Sequence, residues 1–431
     1  MMSLSDDKCS RSVTLTGALD AARTTRQLLT DRRFGPYLAT NFVSNVGNWF
    51  QNVAAGIVVF AVTGSNTLVG MVSVLQFLAT LALAPWSGSL ADRRDRRKLL
   101  MLAQAISASG AVGLAIWVGL EGVEGLPGVW PVMAAAAVIG LGFAIGIAAM
   151  NALIPALVEP PDLDEAIALN SASFTVARAV GPALAGVVVA TLGAAFAFGA
   201  NAFTFLPLIV VLAVIRPRDV VRSPGDRSVR AGFRYTRAQP AMPWLILATL
   251  VVGWAGDPVN TLAPAYADMF GRSEAFVGLQ VAVFGTGSAI SSLGVRRVRT
   301  HLGLVATTKS GIFLLAVGLG GYAAAPSEAV VLISLFIAGV GFLLGVTTTN
   351  SNMQRRLDED MRGRVMALWS MAFLGSRPIA GLLDGAVADL TSPRIGVLTA
   401  VVPLLAGWWA MGRVERADRE EMAAGSPKLG P

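Results

Sequence analysis

The sequence is poor in charge and in the side chains that most enzymes use for catalysis. Only 14% of its 431 residues are Asp, Glu, Lys or Arg, and 54% are hydrophobic, whereas about a quarter of an ordinary soluble domain is charged. One cysteine, Cys9, and one histidine, His301, leave no pair for a disulfide and no cysteine–histidine cluster for a metal. We therefore expect neither a soluble enzyme nor a metal site, and no cofactor.

Most of the hydrophobic residues lie in long apolar runs bounded by glycine, proline or charge. Twelve helices that cross a membrane would use roughly 240 residues at about 20 residues each, which leaves room for short loops and tails. The predicted spans are 36–62, 67–91, 99–119, 131–153, 167–192, 195–215, 242–266, 275–295, 304–325, 329–350, 364–388 and 395–413. The sequence thus predicts an all-α membrane protein with twelve transmembrane helices.

The basic residues are concentrated on one side of the predicted membrane. Of 34 Lys and Arg residues, 30 fall in the two tails, in the segment Arg216 to Ala241, and in or beside the loops after spans two, eight and ten. Positively charged loops are retained in the cytoplasm, so both termini are predicted to be cytoplasmic. The net charge of +7 lies beside apolar runs rather than on a basic domain, and no nucleic-acid partner is expected.

An internal repeat divides the chain into two halves. A shift of 199 residues places Phe143, Phe174 and Arg178 on Phe342, Phe373 and Arg377, and a weaker match at 208 residues places Asn52 and Gly70 on Asn260 and Gly278. Parallel repeats of this kind put a binding site between the halves near mid-membrane. The predicted organisation is a tail at 1–35, a six-helix bundle at 36–215, a linker at 216–241, a second six-helix bundle at 242–413 and a tail at 414–431.

The segment Gly88-Ser-Leu-Ala-Asp-Arg-Arg-Asp-Arg-Arg-Lys98 resembles the loop signature between the second and third helices of the major facilitator superfamily. Asp95 replaces the usual glycine, as in the drug-exporter branch that includes enterobactin exporters and macrolide-efflux-like proteins. Gly181-Pro182 with Gly186 is similar to the antiporter motif of the fifth helix, although Ala185 stands where a glycine is expected. The resemblance implies a major facilitator fold, a monomer, and a location in the bacterial inner membrane.

The same resemblance implies a latch that closes the cytoplasmic side when the transporter opens outward. Asp92 is the central residue of this latch, because its carboxylate can pair with a nearby cation or face the N-terminus of a neighbouring helix. A retention signal with a solvated ion pair is the alternative. The predicted gating residues are Gly88, Asp92, Arg93, Arg96 and Arg97.

Four asparagines of the first span, Asn41, Asn45, Asn48 and Asn52, share one helical face because their spacings are 4, 3 and 4 residues. A carboxamide that faces lipid is costly, so this face must contact protein or water. We predict that Asn45, Asn48 and Asn52 bind substrate, and the alternative is that such amides bond neighbouring helices.

Two arginines and two aspartates lie within the predicted spans. Arg178 and Arg377 occupy equivalent mid-membrane positions of the two halves, where an unpaired cation is expensive. They are predicted to bind an anionic substrate, with a structural ion pair as the alternative. Asp257 and Asp384 are the predicted proton-coupling residues, although Asp257 could instead bond a helix broken by Gly253, Gly256 and Pro258, and Asp384 could pair with Arg377.

The leading hypothesis is a secondary transporter that exports a small organic molecule by alternating access in exchange for protons. An uptake carrier or facilitator on the same fold is the alternative, and a membrane sensor without transport is a third. Gly140-Leu-Gly-Phe-Ala-Ile-Gly146 lacks the Lys-Ser or Lys-Thr of a phosphate-binding loop, so the sequence does not favour ATP-driven transport. Besides the substrate, the expected partners are protons and membrane lipids.

The predicted orientation can be tested with single cysteines in a Cys9→Ser background. Cysteines at Ser65 and Ser327 should react with a membrane-impermeant maleimide added to intact cells, because both lie in loops predicted to face outward. A cysteine at Ser228 should react only after the membrane is permeabilised. Labelling of Ser228 in intact cells would invert the topology.

Overall fold

A computed structural model of the protein describes residues 23–93, 95–123, 125–218 and 229–423, and the regular structure in these ranges is helical. The helices in chain order are α1 (Thr25–Leu29), α2 (Phe34–Thr63), α3 (Asn66–Arg93), α4 (Arg96–Glu121), α5 (Trp130–Leu157), α6 (Leu163–Val214), α7 (Val229–Ala238), α8 (Met242–Trp254), α9 (Pro258–Thr261), α10 (Ala263–Met269), α11 (Glu274–Leu302), α12 (Leu304–Ala324), α13 (Glu328–Arg355), α14 (Glu359–Leu390) and α15 (Pro393–Ala423).

Helix α6 contains two of the predicted spans. It is 52 residues long, and its backbone leaves helical geometry at Gly193, where φ is 82°. Glycine adopts positive φ without the steric cost that other residues pay, so the chain turns here between the fifth and sixth spans. Helix α6 provides two spans, α8–α10 together form the seventh, and each other long helix forms one. The prediction of twelve membrane helices is therefore confirmed.

The seventh span is broken into α8, α9 and α10. Pro258 begins α9 and supplies no backbone N–H, so the break occurs where the sequence predicts it. Two amide side chains donate to backbone carbonyl groups next to the break: Asn260 Nδ2 donates to Gly256 O at 3.1 Å, and Gln280 Nε2 donates to Ala263 O at 3.0 Å. The break places Asp257 directly between two helical segments.

The two halves meet along two helix pairs. Helix α3 packs against α14, and the fifth span, in α6, packs against α11. Both contacts depend on glycine, because a Cβ on Gly278 would lie 2.6 Å from Gly186 Cα, and one on Gly70 would collide with the Gly381 backbone. These glycines lie near the turns α2–α3, α10–α11 and α14–α15, which form the side predicted to face outward, called the outer side below. The halves are therefore closely packed on the outer side.

The helices at the opposite side extend further than predicted. Helix α15 continues to Ala423, ten residues beyond the predicted end of the last span. Arg356 forms a bidentate pair with Asp418 at 2.6 and 2.8 Å, and this pair fixes the extension of α15 to the end of α13. Within the linker, α7 is amphipathic and Tyr235 OH donates to Asp358 Oδ2 at 3.0 Å. The predicted linker thus contains a helix that is bonded to the second half.

Candidate functional site

A cavity of about 70 Å³ lies between the two halves. It is bordered by the first, second, fourth, fifth and eleventh spans, so both halves contribute to its wall. All five predicted substrate-binding residues lie on this one cavity. The lining residues are Asn45, Asn48, Trp49, Asn52, Gln76, Phe77, Phe143, Phe174, Arg178, Phe373, Leu374 and Arg377.

The asparagines on one face of α2 have two different surroundings. Asn45, Asn48 and Asn52 line the cavity. Asn41, at the end of this face, is buried and donates from Nδ2 to Asn170 Oδ1 at 3.0 Å. The same helix face thus has asparagines at the cavity and, one turn away, an asparagine that bonds a neighbouring span.

Arg178 lies among aromatic rings rather than beside a carboxylate. Its guanidinium carbon is 4.4 Å from the Phe342 ring centroid, 4.9 Å from that of Trp49 and 5.5 Å from that of Phe284. An arginine over an aromatic face is stabilised by the ring quadrupole, and more strongly when water is excluded. Because Phe284 and Phe342 belong to the second half, Arg178 reaches across the interface between the halves.

Arg377 makes the reciprocal contact with the first half. Its guanidinium carbon is 4.9 Å from the Phe77 centroid and 5.8 Å from the Trp49 centroid. The two arginines thus approach the same indole ring. Trp49 is only 6% exposed, so it borders the cavity instead of anchoring the helix in lipid.

Sequence reasoning missed most of the aromatic residues of the site. Trp49 meets Phe174 edge-on at 6.0 Å between centroids, Phe77 meets Phe143 at 6.2 Å, and Trp369 stacks on Phe373 at 5.2 Å. The 199-residue repeat contained the signal, because it superimposes Phe143 on Phe342 and Phe174 on Phe373. Repeated phenylalanines beside repeated arginines indicate a shared aromatic wall.

Asp257 is the carboxylate that approaches the cavity arginines. It is fully buried, Arg377 Nε lies 3.9 Å from its Oδ1, and Thr261 Oγ1 donates to its Oδ2 at 2.7 Å. The side chain does not cap α9, so the alternative role of bonding the broken backbone does not account for it. A Cβ on Gly381 would lie 2.9 Å from Oδ2, so a larger residue there would crowd the carboxylate.

Arg377 turns toward Asp257, so the ion pair with Arg377 that was the alternative role for Asp384 is not observed. Asp384 is fully buried and accepts hydrogen bonds at Oδ1 from Trp254 Nε1, at 3.2 Å, and from the Thr399 hydroxyl. Among the described residues, no lysine or arginine forms an ion pair with it. Within the described ranges the two candidate carboxylates therefore differ: Asp257 has a cationic partner at the cavity, and the donors to Asp384 are neutral.

The loop signature is described in part. Asp95 caps α4 by accepting from the backbone N–H groups of Arg97, at 2.9 Å, and Lys98, at 3.3 Å, which accounts for an aspartate where a glycine is usual. Arg97 Nη1 donates to Ile215 O at 2.9 Å at the end of the sixth span, and Arg96 lies in the first turn of α4. The side chains of Gly88, Asp92 and Arg93 lie outside the described residues.

The cavity is too small for a typical organic ligand in this state. Ligand pockets usually have volumes of about 300–1,000 Å³, whereas about 70 Å³ holds only a few water molecules. The outer side is closed by the glycine contacts described above. Binding of an organic molecule therefore requires the halves to separate around the cavity.

Comparison with known proteins gives consistent matches over nearly the whole chain. A model of the transmembrane secretion effector family matches residues 29–428. The chain is 29% identical over 377 residues to the enterobactin exporter of Shigella boydii serotype 4. This alignment covers 85% of this chain and 88% of the exporter.

Among solved structures, the chain is similar to a bacterial homologue of the iron transporter ferroportin in two states. The inward-facing state gives a TM-score of 0.71 at 18% identity and covers 91% of this chain and 99% of the other. The outward-facing state gives 0.61 at 18% identity and covers 88% and 98%.

The Asp257–Arg377 contact can be tested by removing its charges singly and together. Arg377→Gln should lower the thermal stability of the purified protein, because breaking a buried pair leaves an uncompensated charge and costs about 3–5 kcal/mol. The double variant Asp257→Asn/Arg377→Gln should recover most of that loss. Arg178→Gln is the matched control, since it leaves no carboxylate unpaired. Equal destabilisation by Arg377→Gln with and without Asp257→Asn would show that the two side chains are not coupled.

Proposed function

The chain belongs to the transmembrane secretion effector family, and we propose that it is a transporter of the inner membrane that exports a small organic molecule by alternating access in exchange for protons. The resemblance to the major facilitator superfamily is thereby confirmed. The proposal rests on one observation: an aromatic cavity between the halves contains two arginines, and one of them touches a buried aspartate. We place both termini in the cytoplasm, from the distribution of basic residues, and treat the protein as a monomer.

The cavity favours a substrate with aromatic rings and oxygen atoms. Trp49, Phe77 and Phe174 provide ring faces and edges, and Asn45, Asn48 and Asn52 provide amides that both donate and accept. Arg178 supplies a cation held against rings, which suits a π-system or an oxygen with partial negative charge. Enterobactin, for which the similar exporters are named, is the first compound to test.

Proton antiport requires that the substrate and a proton exclude each other. Asp257 satisfies this condition for a substrate that donates a hydroxyl hydrogen bond to the ionised carboxylate, because protonation removes that acceptor. A proton arriving from outside would then displace the substrate. Once the proton is released inward, Asp257 pairs again with Arg377, as in the present structure.

The charge of the substrate sets the sign of the coupling. Protonation of Asp257 removes one negative charge beside Arg178 and Arg377, so the cavity becomes more positive and attracts an anion more strongly. An anion would therefore bind together with the proton and move in the same direction, as uptake by proton symport requires. The two arginines thus keep an uptake carrier as a second candidate, restricted to anionic compounds, while a neutral hydroxylated aromatic compound favours export.

These functions can be separated in proteoliposomes under an imposed pH gradient. With enterobactin as the probe, the wild-type protein should drive transport against the substrate gradient, in the direction opposite to proton flow. Asp257→Asn should abolish this accumulation while retaining exchange of labelled for unlabelled probe, because the site binds but cannot change charge. Asp384→Asn is the matched control and should stay coupled, since Asp384 lacks a cationic partner at the cavity.

Full accumulation by Asp257→Asn would remove Asp257 from the coupling mechanism. Loss of accumulation by Asp384→Asn alone would assign the coupling to Asp384 instead. Probe movement in the same direction as protons would favour the uptake candidate. A neutral and an anionic form of one aromatic compound, compared at a fixed pH gradient, test the dependence on charge directly.

A further inference from the structure

We propose that Asp389 is a latch that holds the outer side closed and must release α3 before the transporter can open outward. This inference rests on the alternating-access function proposed above. Asp389 lies in the last turn of α14, in the second half, and its partners Ser65, Asn66 and Thr67 lie at the start of α3, in the first half. The contact therefore crosses the interface that has to part when the outer side opens.

One carboxylate accepts hydrogen bonds from the first two backbone N–H groups of α3 and from three side chains beside them. Asp389 Oδ1 accepts from Asn66 N at 2.8 Å and from Asn66 Nδ2 at 2.9 Å. Its Oδ2 accepts from Thr67 N at 2.9 Å and from the hydroxyls of Ser65 and Thr67, both at 2.7 Å. Five hydrogen bonds on one side chain make this the most heavily bonded carboxylate contact between the halves in the described part of the chain.

The contact combines two favourable effects at a helix N-terminus. The first backbone N–H groups of a helix have no partner inside the helix, and an acceptor that caps them stabilises it. A negative charge there also interacts favourably with the helix dipole. Ser65 Oγ supplies a local cap by accepting from Leu68 N at 3.3 Å. The N–H groups of Asn66 and Thr67 are instead capped by residue 389, more than 300 positions away. Stabilising α3 in this way therefore stabilises the closed outer interface.

The internal repeat shows that this contact is not a general packing feature of the fold. The position equivalent to Asp389 in the first half, 199 residues earlier, is Ala190, and the residues 208 positions after Ser65 and Asn66 are Ser273 and Glu274. The second interface, between the fifth span and α11, keeps the glycine packing of Gly186 on Gly278. It has an alanine where the first interface has the latch carboxylate. A carboxylate at this position is therefore present at only one of the two related interfaces.

The location suits a contact that breaks and re-forms. Asp389 and its partners lie at the end of the helices, where water can replace the lost hydrogen bonds when the halves separate. A fully buried contact of the same kind would be much more costly to break. The family resemblance implies a latch at Asp92, at the other end of the same helix α3. Helix α3 would then be held at one end in each of the two states.

The first experiment measures the opening of the outer side without any substrate. Spin labels on cysteines at Glu121 and Ser327, which are exposed at the outer ends of the two halves, report the separation of the halves by electron–electron resonance in nanodiscs, in a Cys9→Ser background. Asp389→Asn should raise the ratio of open to closed outer side about tenfold, from the loss of a charged cap. Asp268→Asn, which removes an exposed carboxylate near the same surface, should leave the ratio unchanged.

A second variant approaches the contact from the other half. Thr67→Val removes one hydroxyl donor to Asp389 Oδ2 while Asp389 and the local cap from Ser65 Oγ to Leu68 N stay in place, and it should shift the same distance distribution toward the open form. If Asp389→Asn is poorly folded, this variant alone tests whether the contact at Asp389 holds the outer side closed. An unchanged distribution in a folded variant of either kind would overturn the proposal.

The third experiment asks whether the contact must break during transport. Cysteines at Thr67 and Asp389 should form a disulfide on mild oxidation. The oxidised protein should stop enterobactin exchange in proteoliposomes, and reduction should restore it. Full exchange by the oxidised protein would overturn the latch. If no probe is transported by any variant, the proposed function fails, but the distance measurements still decide whether Asp389 closes the outer side.

Discussion

The arrangement of the site depends on the contact between Asp257 and Arg377. A fully buried carboxylate at 3.9 Å from an arginine is costly to desolvate, and its mutual attraction and hydrogen bonds must offset that cost. The break between α8 and α9 brings Asp257 to the interface, Gly381 leaves space for its Oδ2, and Thr261 donates to the same oxygen.

The internal repeat builds the cavity symmetrically, and a few unmatched residues give it a direction. Each half contributes an arginine that reaches the aromatic residues of the other half, Arg178 to Phe342 and Arg377 to Phe77. Asp257 breaks this symmetry, since the corresponding residue under the 208-residue match is Trp49. A symmetric pair of arginines would bind a ligand without sensing protons. In the proposed mechanism, the added carboxylate beside one of them makes the charge of the cavity depend on protonation.

The sequence predicted the parts of the site that follow from periodicity and composition. The spacing of Asn45, Asn48 and Asn52 placed them on one face of a helix, and the burial cost of Arg178 and Arg377 placed them in the interior, which agrees with the cavity lining. Their role in substrate binding remains a prediction. The aromatic wall and the partner of Asp384 were missed, because they depend on which rotamers and helices meet in three dimensions. Asp389 was missed too, since its partners lie more than 300 residues away and no local pattern relates them.

The most direct test of the coupling is to measure protons when a ligand binds. Purified protein in weakly buffered detergent, with a pH-indicator dye, should release protons when a transported neutral hydroxyaromatic compound is added, because the compound and a proton compete for Asp257. The release should depend on the starting pH and should vanish in Asp257→Asn. An identical release from Asp257→Asn, or proton uptake by the wild-type protein, would contradict the account.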